Sequence, residues 1–517
     1  MAQQALGHHP LAHTLKRSFL DPKTLDLARH LHGTFGAERI ALLEARRDPL
    51  PWTDRSSVEF PEATAALRMK EWQVATPPES LLERRVELLG GATRQELVDG
   101  LNTGAKSYVA DLWDLCAGDP WRIIRAHRNL ERASRADLAY VPAEGGRIRM
   151  NPASTVRLMV VPRPLHVPAH AAEGAGDDIA ASIIDLARVV GNCAINLMER
   201  QGGVHLYLRD VRGQQEAGWW GRLFHELEEC ADLPTGTIRA TVMIDNVRAM
   251  LEADEILFAL AQHSAGLSFD PQACVADIIA QFHDPQGAPL PGRETIGLDS
   301  PFLRALSLHL IGLCHRRGCH AIGPPSFTLP PKDPLRAGAD HLSMLADKER
   351  QAVDGHDGTL VTHAGQVNAA VMEFNKGMPR AHQMNYLRHE VFHAADLLRT
   401  PEGPVAVDSL LAMTRTALCA LTYHPTGQGR VEQGGRLHDR SSLRLALRML
   451  WHWLHLDKSV STTTGLEIRP EVIGYLLRKE AGKLFANEPE EIKELARTAA
   501  DQLLALVTAG AVPDEPL

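Results

Sequence analysis

The chain has 517 residues, of which 44% are hydrophobic and 23% are charged, and this length allows two to four domains of roughly 100–200 residues or one longer barrel. Its net charge of −9 argues against a general nucleic-acid-binding protein. No membrane-spanning apolar run or signal-peptide pattern stands out, and seven cysteines at irregular spacing indicate reduced thiols, so we expect a soluble, cytoplasmic protein with no membrane partner.

The first predicted element is a helix over 24–47, where apolar residues recur at helical spacing. Eight short β-rich runs separated by helical stretches follow, at 85–88, 107–112, 157–162, 204–211, 237–244, 265–269, 319–323 and 358–363. Strands that alternate with helices predict a parallel sheet, and eight strands are the number that closes a barrel. After about residue 370 no β-rich run recurs, so we predict a helical region from there to the end of the chain.

Polar residues follow most of the predicted strands. In barrels of this kind the chemistry lies just after the carboxyl ends of the strands. Asp245 and Asp270 follow neighbouring strands, and two acids there could share Mg²⁺, which prefers oxygen ligands. Alternatively, each acid caps the helix that follows it. The other candidates at strand ends are Asp111, Asp114, Arg163, His166, Asp210, Arg212 and His363.

Two short motifs resemble metal sites. Residues 389–393 read HEVFH and match H-E-x-x-H, in which His389 and His393 on one helical face could hold zinc and Glu390 could act as a base. Such a motif also arises by chance in a chain with 25 histidines. Residues 314–320 read CHRRGCH, but four residues between the cysteines fit no common zinc or haem pattern. We therefore interpret the second motif as a helix end followed by a strand.

Longer segments, spread over nearly the whole chain, carry a family resemblance. They are 101–111 (LNTGAKSYVAD), 236–242 (GTIRATV), 254–257 (DEIL), 263–267 (HSAGL), 314–318 (CHRRG), 347–350 (DKER), 354–359 (DGHDGT), 394–398 (AADLL) and 450–454 (LWHWL). In this order and spacing they resemble malate synthase, most closely the shorter bacterial form.

The resemblance implies an α/β fold, a (β/α)₈ TIM barrel with an N-terminal helical clasp and a C-terminal helical domain. We place the clasp at 1–85, the barrel at 86–370 and the C-terminal domain at 371–517. The family condenses acetyl-CoA with glyoxylate and then hydrolyses the thioester to give malate and CoA. An aspartate from the C-terminal domain removes the acetyl proton, while an arginine and Mg²⁺ stabilise the developing negative charge.

Transferring the family's site residue by residue gives a mixed result. The family's M-E-D-A-A-T segment falls on 437–442, so the catalytic base is Asp439. The metal-binding glutamate falls on Asp245. The second metal ligand falls on Ala273, which has no side-chain oxygen, and Asp270 lies three positions earlier. The resemblance therefore predicts a weakened Mg²⁺ site on Asp245 and Asp270.

The substrate pocket departs further from the family. The family's R-P-R-G-W-H-L-P falls on 161–168, so its first arginine becomes Val161 and its second remains as Arg163. The acidic A-D-F-E-D falls on 110–114, where Trp113 replaces glutamate, and K-L-E-S falls on 210–213 with both charges reversed. We predict that Arg163 is the remaining catalytic cation and that His166 and Arg239 bind substrate.

Three functional hypotheses follow from the sequence. The first is a condensing enzyme that uses Asp439 on an acyl-CoA together with a small 2-oxo acid or aldehyde, with a substrate altered from the family's. The second is a catalytically idle homologue kept for binding. The third, and weakest, is a zinc hydrolase that uses His389, Glu390 and His393.

Overall fold

The structure, a computed structural model, describes residues 20–114, 120–170, 173, 179–331 and 338–514. Eight parallel strands form a closed barrel in the spatial order β1-β10-β9-β8-β7-β6-β5-β2. Their bounds are Arg84–Gly90 (β1), Ser107–Asp111 (β2), Arg157–Val161 (β5), Val204–Leu208 (β6), Ile238–Ile244 (β7), Ser264–Phe269 (β8), His320–Ser326 (β9) and Gly358–Val361 (β10). The prediction of a (β/α)₈ barrel is confirmed.

Each predicted strand overlaps an observed one, and the difference that bears on the site concerns β6. The sequence predicted a strand to residue 211, whereas β6 ends at Leu208. Asp210 has φ +54°, a left-handed conformation that extended strand cannot accommodate. The loop at this corner of the barrel therefore begins with Arg209.

Helices surround the barrel and connect its strands. They are α3 (Arg94–Leu101), α4 (Pro120–Ser134), α5 (Ala181–Gln201), α6 (Gln214–Cys230), α7 (Val247–Leu251), α8 (Ala253–Ala259), α9 (Pro271–Phe282), α10 (Pro301–Arg316), α11 (Ala339–Asp354) and α12 (Val367–Gly377), and a two-stranded hairpin of β3 (Ala139–Tyr140) and β4 (Ile148–Arg149) follows α4. The barrel interior is filled by apolar side chains such as Met159, Val161 and Met243. A second and larger core lies between the strands and the helices, so both faces of the sheet are buried, as parallel sheets require.

The N-terminal clasp consists of α1 (Pro22–Ala45), the short helix α2 (Ala65–Met69) and the segments around them. Helix α1 begins after Asp21, which caps it by accepting a hydrogen bond from Thr24, and with Pro22 in its first turn. Arg46, directly after α1, pairs with Asp210 and Glu216 at the carboxyl end of the barrel. The clasp therefore holds the loop after β6 in place.

Several segments shared with the family hold the opposite end of the barrel together. Arg317, from the segment 314–318, forms a two-point ion pair with Asp254, from the segment 254–257. The same guanidinium donates to the backbone carbonyls of Arg68 and Lys70 in the clasp. These motifs stabilise the fold, which explains why they match while the site does not.

The C-terminal domain contains α13 (Val407–Tyr423), α14 (Arg440–Leu454), α15 (Pro470–Leu484) and α16 (Glu490–Thr508). The prediction of an essentially helical region after about residue 370 did not include one antiparallel hairpin, formed by β11 (Val431–Gln433) and β12 (Arg436–His438). Each strand has three residues, too few for a periodic pattern, and the turn is formed by Gly434 and Gly435 with positive φ. The segment between α12 and α13 is mostly irregular, with one 3₁₀ turn at Ala394–Leu397.

Among the described residues, one helix is long and apolar enough by composition to cross a membrane, α5. It connects β5 to β6, and 72% of its apolar window is buried inside the protein. These are the properties of a core helix in a barrel.

Candidate active site

The hairpin of β11 and β12 brings Asp439 to the carboxyl end of the barrel. The backbone amide of Leu437 in β12 donates to the carbonyl of Phe327, directly after β9. Asp439 then caps α14, and its Oδ1 accepts hydrogen bonds from the Ser442 backbone amide at 3.0 Å and the Ser442 hydroxyl at 3.1 Å. Asp439 is buried, and its Oδ2 accepts no hydrogen bond from any residue that the structure describes. One oxygen of this carboxylate is therefore oriented, and the other is open.

Arg209 lies at the centre of the neighbouring carboxylates, one residue past β6. Its Nη1 donates to Asp114 Oδ2 and lies 3.5 Å from Asp111 Oδ2. Its Nη2 donates to Asp270 Oδ2 at 2.9 Å and to Ser441 Oγ at 2.9 Å. The guanidinium thus joins the ends of β2 and β8 to the start of α14. Its Nε–H has no acceptor among the described residues.

The concentration of buried acids changes their titration. Burial, followed by repulsion from Asp114 and Asp270, raises the pKa of Asp439 to about 7, although Arg209 acts in the opposite direction. Burial and Asp114 likewise raise the pKa of Asp111 to about 6. A carboxylate whose pKa lies near neutral pH is matched to general-base chemistry.

The residues present do not fit a Mg²⁺ ion held by Asp245 and Asp270. Asp270 caps α9, since its Oδ1 accepts from the backbone amides of Gln272 and Ala273, and its Oδ2 already binds Arg209. Asp245 accepts the Asp210 backbone amide at 2.8 Å. Octahedral Mg²⁺ requires oxygen ligands at about 2.0–2.1 Å, and Asp270 offers its outward oxygen to a guanidinium instead. The contacts of Asp270 instead agree with the second interpretation offered by the sequence, in which Asp270 caps the helix that follows it.

Arg163 follows β5, as the sequence predicted, but its donors are engaged elsewhere. Its Nε and Nη2 donate to Asp185 at 2.9 and 2.6 Å, and Nη1 and Nη2 donate to Glu173 at 2.8 and 2.7 Å. His127 also contacts Asp185 at 2.8 Å. Burial lowers the pKa of Arg163, but its two carboxylates outweigh burial and raise it well above its usual range. These contacts make Arg163 a buried cation whose donors face protein carboxylates, so they do not support its catalytic role, which stays a prediction.

The two predicted substrate-binding residues lie far apart. His166 lies at the barrel mouth, with Nδ1 2.8 Å from Asp210 Oδ2 and its ring edge-on to Trp113. Arg239 lies at the amino-terminal end of β7, where it donates to the backbone carbonyls of Gly236, Ala75 and Thr76. From Arg239 to Ile244 the strand separates it from the carboxyl end by about 17 Å, at about 3.3 Å per residue. Arg239 therefore stabilises the opposite end of the barrel, and its prediction as a substrate ligand is corrected.

The HEVFH segment does not form a zinc site. Residues 389–393 lie in irregular structure before a 3₁₀ turn, so His389 and His393 do not share a helical face. Glu390 pairs with Arg388. The group of described residues with metal-ligand geometry is elsewhere, on the outer surface, at His30, Glu226 and Cys230.

Sequence reasoning missed Arg209, the residue with the most contacts in the site. The signal was present, because Arg209 is a charge directly after the buried run 204–208. It was overlooked because the predicted strand extended to residue 211, which made Arg209 part of the strand interior. Arg440 was also missed. Its guanidinium lies 3.9 Å from the ring centre of Trp113, and its Nε lies 3.6 Å from Asp114 Oδ1.

A cavity of about 400 Å³ opens beside the acids. Its wall includes Gln272, whose Oε1 lies 3.1 Å from Ser442 Oγ and shares that single O–H with Asp439, and His438, which precedes Asp439. Arg293 and Arg436 also line it, and neither has a described carboxylate within 4.0 Å. Burial, followed by the charge of Arg436, lowers the pKa of Arg293 to about 9. The cavity wall therefore combines apolar residues with two arginines that have no close ion-pair partner among the described residues, and with three acids, Glu294, Asp340 and Asp347.

The fold and the site define a class of protein, a (β/α)₈ barrel in which acids at the strand ends are completed by an aspartate from a C-terminal helical domain. The family model described as "Malate synthase, TIM barrel domain" matches residues 157–400. Malate synthase of Myxococcus xanthus is 31% identical over 92% of this chain and 87% of its own. The chain belongs to the malate synthase family, whose reaction condenses acetyl-CoA with glyoxylate.

Two further relatives agree with this assignment. Malate synthase A of Escherichia coli is 29% identical over 94% of this chain and 92% of its own. Malate synthase of Streptomyces clavuligerus is 31% identical over 88% of this chain and 86% of its own. Because the similarity extends beyond the barrel, the clasp and the C-terminal domain are part of it.

Proposed function

We propose that the protein is an acyl-CoA condensing enzyme in which Asp439 removes the α-proton and Arg209, not Arg163, stabilises the enolate. The carbonyl partner is a 2-oxo acid or aldehyde that differs from the family's glyoxylate. The observation that carries this proposal is the pair formed by an open carboxylate oxygen on Asp439 and an unengaged Nε–H on Arg209, in one buried cluster.

The first step requires a base with a free lone pair. Asp439 Oδ2 meets this requirement, and a pKa of about 7 lets Asp439 accept a proton at neutral pH without binding it permanently. The proton moves from the acyl α-carbon to Oδ2, and the electron pair moves to the thioester oxygen. The enolate carbon then attacks the partner's carbonyl carbon, and the carbonyl π electrons move to its oxygen, which takes up a proton. Water next adds to the thioester carbonyl, and CoA leaves as the free thiol.

The negative oxygen formed in this step needs a cation nearby. Arg209 is charged at any working pH, and an N–H that points at a developing negative charge stabilises it in a buried site. All three guanidinium nitrogens of Arg163 donate to buried carboxylates, and Nη2 also donates to a backbone carbonyl, which argues against that role. We derive no step through Mg²⁺, because the outward oxygen of Asp270 is bound by Arg209.

We propose that the acyl-CoA enters the 400 Å³ cavity. Its wall reaches Gln272 and His438, which flank the N-termini of the two helices that Asp270 and Asp439 cap. A CoA ester carries several phosphate charges, and Arg293 and Arg436 supply the complementary charge.

The altered substrate is inferred from the barrel mouth. There the Arg440 guanidinium lies over the Trp113 ring, and the His166 ring meets Trp113 edge-on. Trp113 stands where the family has glutamate, and Val161 stands where it has arginine, so the shape and charge around the carbonyl partner have changed together. A partner larger or less polar than glyoxylate fits this change.

The idle-homologue hypothesis also has an observation in its favour, since Arg209 already binds Asp114, Asp270 and Ser441. The two hypotheses differ in the enolisation step. Wild-type protein is incubated with acetyl-CoA in deuterium oxide, and exchange of the methyl protons is followed by NMR. A panel of 2-oxo acids and aldehydes is then scored by release of free thiol.

We expect exchange into acetyl-CoA, and thiol release with at least one panel member other than glyoxylate. Absence of exchange together with absence of acyl-CoA binding would favour the idle homologue. We also propose a cytoplasmic location, which is supported by six described cysteines that are free thiols. Cys116, the seventh, lies outside the described residues. Fractionation of the source cells tests the location.

A further inference from the structure

The buried acids at the carboxyl end of the barrel, Asp111, Asp114, Asp270 and Asp439, surround a cation, Arg209. Arg209 is buried, at 7% exposure, and is hydrogen bonded to Asp114 and Asp270 on two different barrel strand ends. A third bond to Ser441 ties the guanidinium to the first turn of α14. A group held from three elements has little freedom to leave the cluster.

The same contacts remove the ligands that a metal would need. The family's second metal ligand falls on Ala273, whose backbone amide donates to Asp270 Oδ1 at 3.2 Å. Asp270 Oδ2 is the nearest substitute, and it accepts from Arg209 at 2.9 Å. A divalent ion at this oxygen would face a guanidinium, and like charges at close range in a buried site repel strongly.

Arg209 cannot be displaced without consequence. Without it, buried Asp270 would lose its guanidinium partner and buried Asp114 would keep, among the described residues, only Arg440, whose Nε lies 3.6 Å from Oδ1. A buried charge that loses its partner destabilises a protein strongly. The guanidinium also keeps one donor, Nε–H, for an external oxygen. It therefore does what a metal would do at this position: its charge compensates the carboxylates, and its free N–H can polarise a substrate oxygen.

We propose that Arg209 is the resident cation of this site in place of the family's divalent metal, and that the site operates without a metal. The catalytic half of this inference rests on the proposed function. The assignment of Arg209 as the resident cation is independent of the proposed function, because metal binding is measured without turnover.

The first test uses wild-type protein and Mn²⁺ as the probe, with free Mn²⁺ followed by electron paramagnetic resonance. We expect no site tighter than about 1 mM. Acetyl-CoA deuterium exchange should proceed equally with and without EDTA. A stoichiometric Mn²⁺ site that Mg²⁺ competes for, or exchange that EDTA abolishes, would overturn the inference. If exchange is absent and Mn²⁺ does not bind, the proposed function fails and the cation assignment stands.

The second test restores the family's ligand with and without the guanidinium. Ala273→Asp alone keeps Arg209 and should still bind Mn²⁺ poorly. The double variant Ala273→Asp with Arg209→Gln should bind Mn²⁺ at least about tenfold more tightly, since one positive charge is gone and one oxygen ligand is added. Equal Mn²⁺ affinity of the single and double variants would contradict a role for Arg209 in excluding the metal. Circular dichroism establishes that each variant is folded, and the wild-type titration decides the question if the double variant is not.

Discussion

At the level of single residues, two helix-capping aspartates differ in how their second carboxylate oxygen is used. Asp270 uses both oxygens, one for the start of α9 and one for Arg209. Asp439 uses one oxygen for the start of α14 and leaves the other open. The same residue type in the same local position therefore gives one structural acid and one candidate base, and the difference is made by the neighbouring guanidinium.

Replacing Asp439 by asparagine keeps the shape of the cap and removes the base. We expect acetyl-CoA deuterium exchange by Asp439→Asn to fall about 10²–10⁴-fold, while acyl-CoA binding, followed by calorimetry, remains within a few-fold. Asp457→Asn, at an exposed acid in the same domain, is the control and should exchange like wild type. Unchanged exchange in Asp439→Asn would remove Asp439 from the mechanism.

The same variant should be more stable than wild type in a pH-dependent way. The pKa of Asp439 is raised to about 7 in the folded protein, which means that folding favours the protonated carboxyl. The free energy of unfolding is therefore highest below about pH 4 and falls as the pH rises through 7 and the buried carboxyl ionises. Asparagine does not ionise beside Asp114 and Asp270. We expect Asp439→Asn to exceed wild type by at least about 1 kcal/mol at pH 8 and to match it near pH 4, measured by urea unfolding. Parallel pH profiles would show that this carboxylate titrates normally.

At the element scale, one buried ion cluster fixes β5 to α5. Arg163, just after β5, donates its backbone amide and its side chain to Asp185 in α5. Glu173, in the connection between them, closes the cluster. Burial raises the pKa of Asp185, but Arg163 and His127 outweigh burial and hold it well below its usual range. The loop that carries His166 is thereby held against the barrel.

Arg163→Met should therefore destabilise the protein by about 3–5 kcal/mol, because two buried carboxylates lose their partner. The measurement is urea unfolding at pH 7. Arg222→Met is the control, since Arg222 pairs with Glu38 where both side chains are about half exposed, and it should cost less than about 1 kcal/mol. If Arg163→Met is as stable as wild type but loses deuterium exchange, the catalytic assignment of Arg163 returns.

At the scale of the whole molecule, the clasp, the barrel and the C-terminal domain share one apolar core. Leu31 of the clasp, Leu267 of the barrel and Leu447 of the C-terminal domain belong to the same continuous cluster. Helix α14 also packs against α9, the helix that follows β8. The site needs this arrangement, since Asp439 and Arg209 come from different domains.

We expect a shared core to unfold as one unit. Differential scanning calorimetry should give a single transition, and near-ultraviolet circular dichroism at the tryptophans should change at the same temperature as the far-ultraviolet signal. Ser442→Ala, which removes the hydroxyl bond to Gln272 across the domain contact, should lower that one transition without splitting it. A separate earlier transition for the C-terminal domain would mean that the domains are only loosely coupled.

The sequence predicts the barrel on its own, because parallel strands buried on both faces read as short apolar runs and eight of them alternate with helices. It also predicts Asp439 as the base, through the family resemblance and the spacing to the segment 450–454. It overlooked the hairpin of β11 and β12, whose three-residue strands are too short to produce a pattern. These successes and this failure have one cause, since local periodicity is visible only over several residues.

Which arginine lies among the acids beside Asp439 depends on contacts that are remote in sequence. Arg209 meets Asp270, Asp114 and Ser441 across 61, 95 and 232 positions of sequence, and no local pattern encodes such pairings. Arg163 also follows the carboxyl end of a barrel strand, but its charge is paired with Asp185 and Glu173. A buried charge takes its role from the charges around it, and those neighbours are set by the closed barrel and by the domain that covers it.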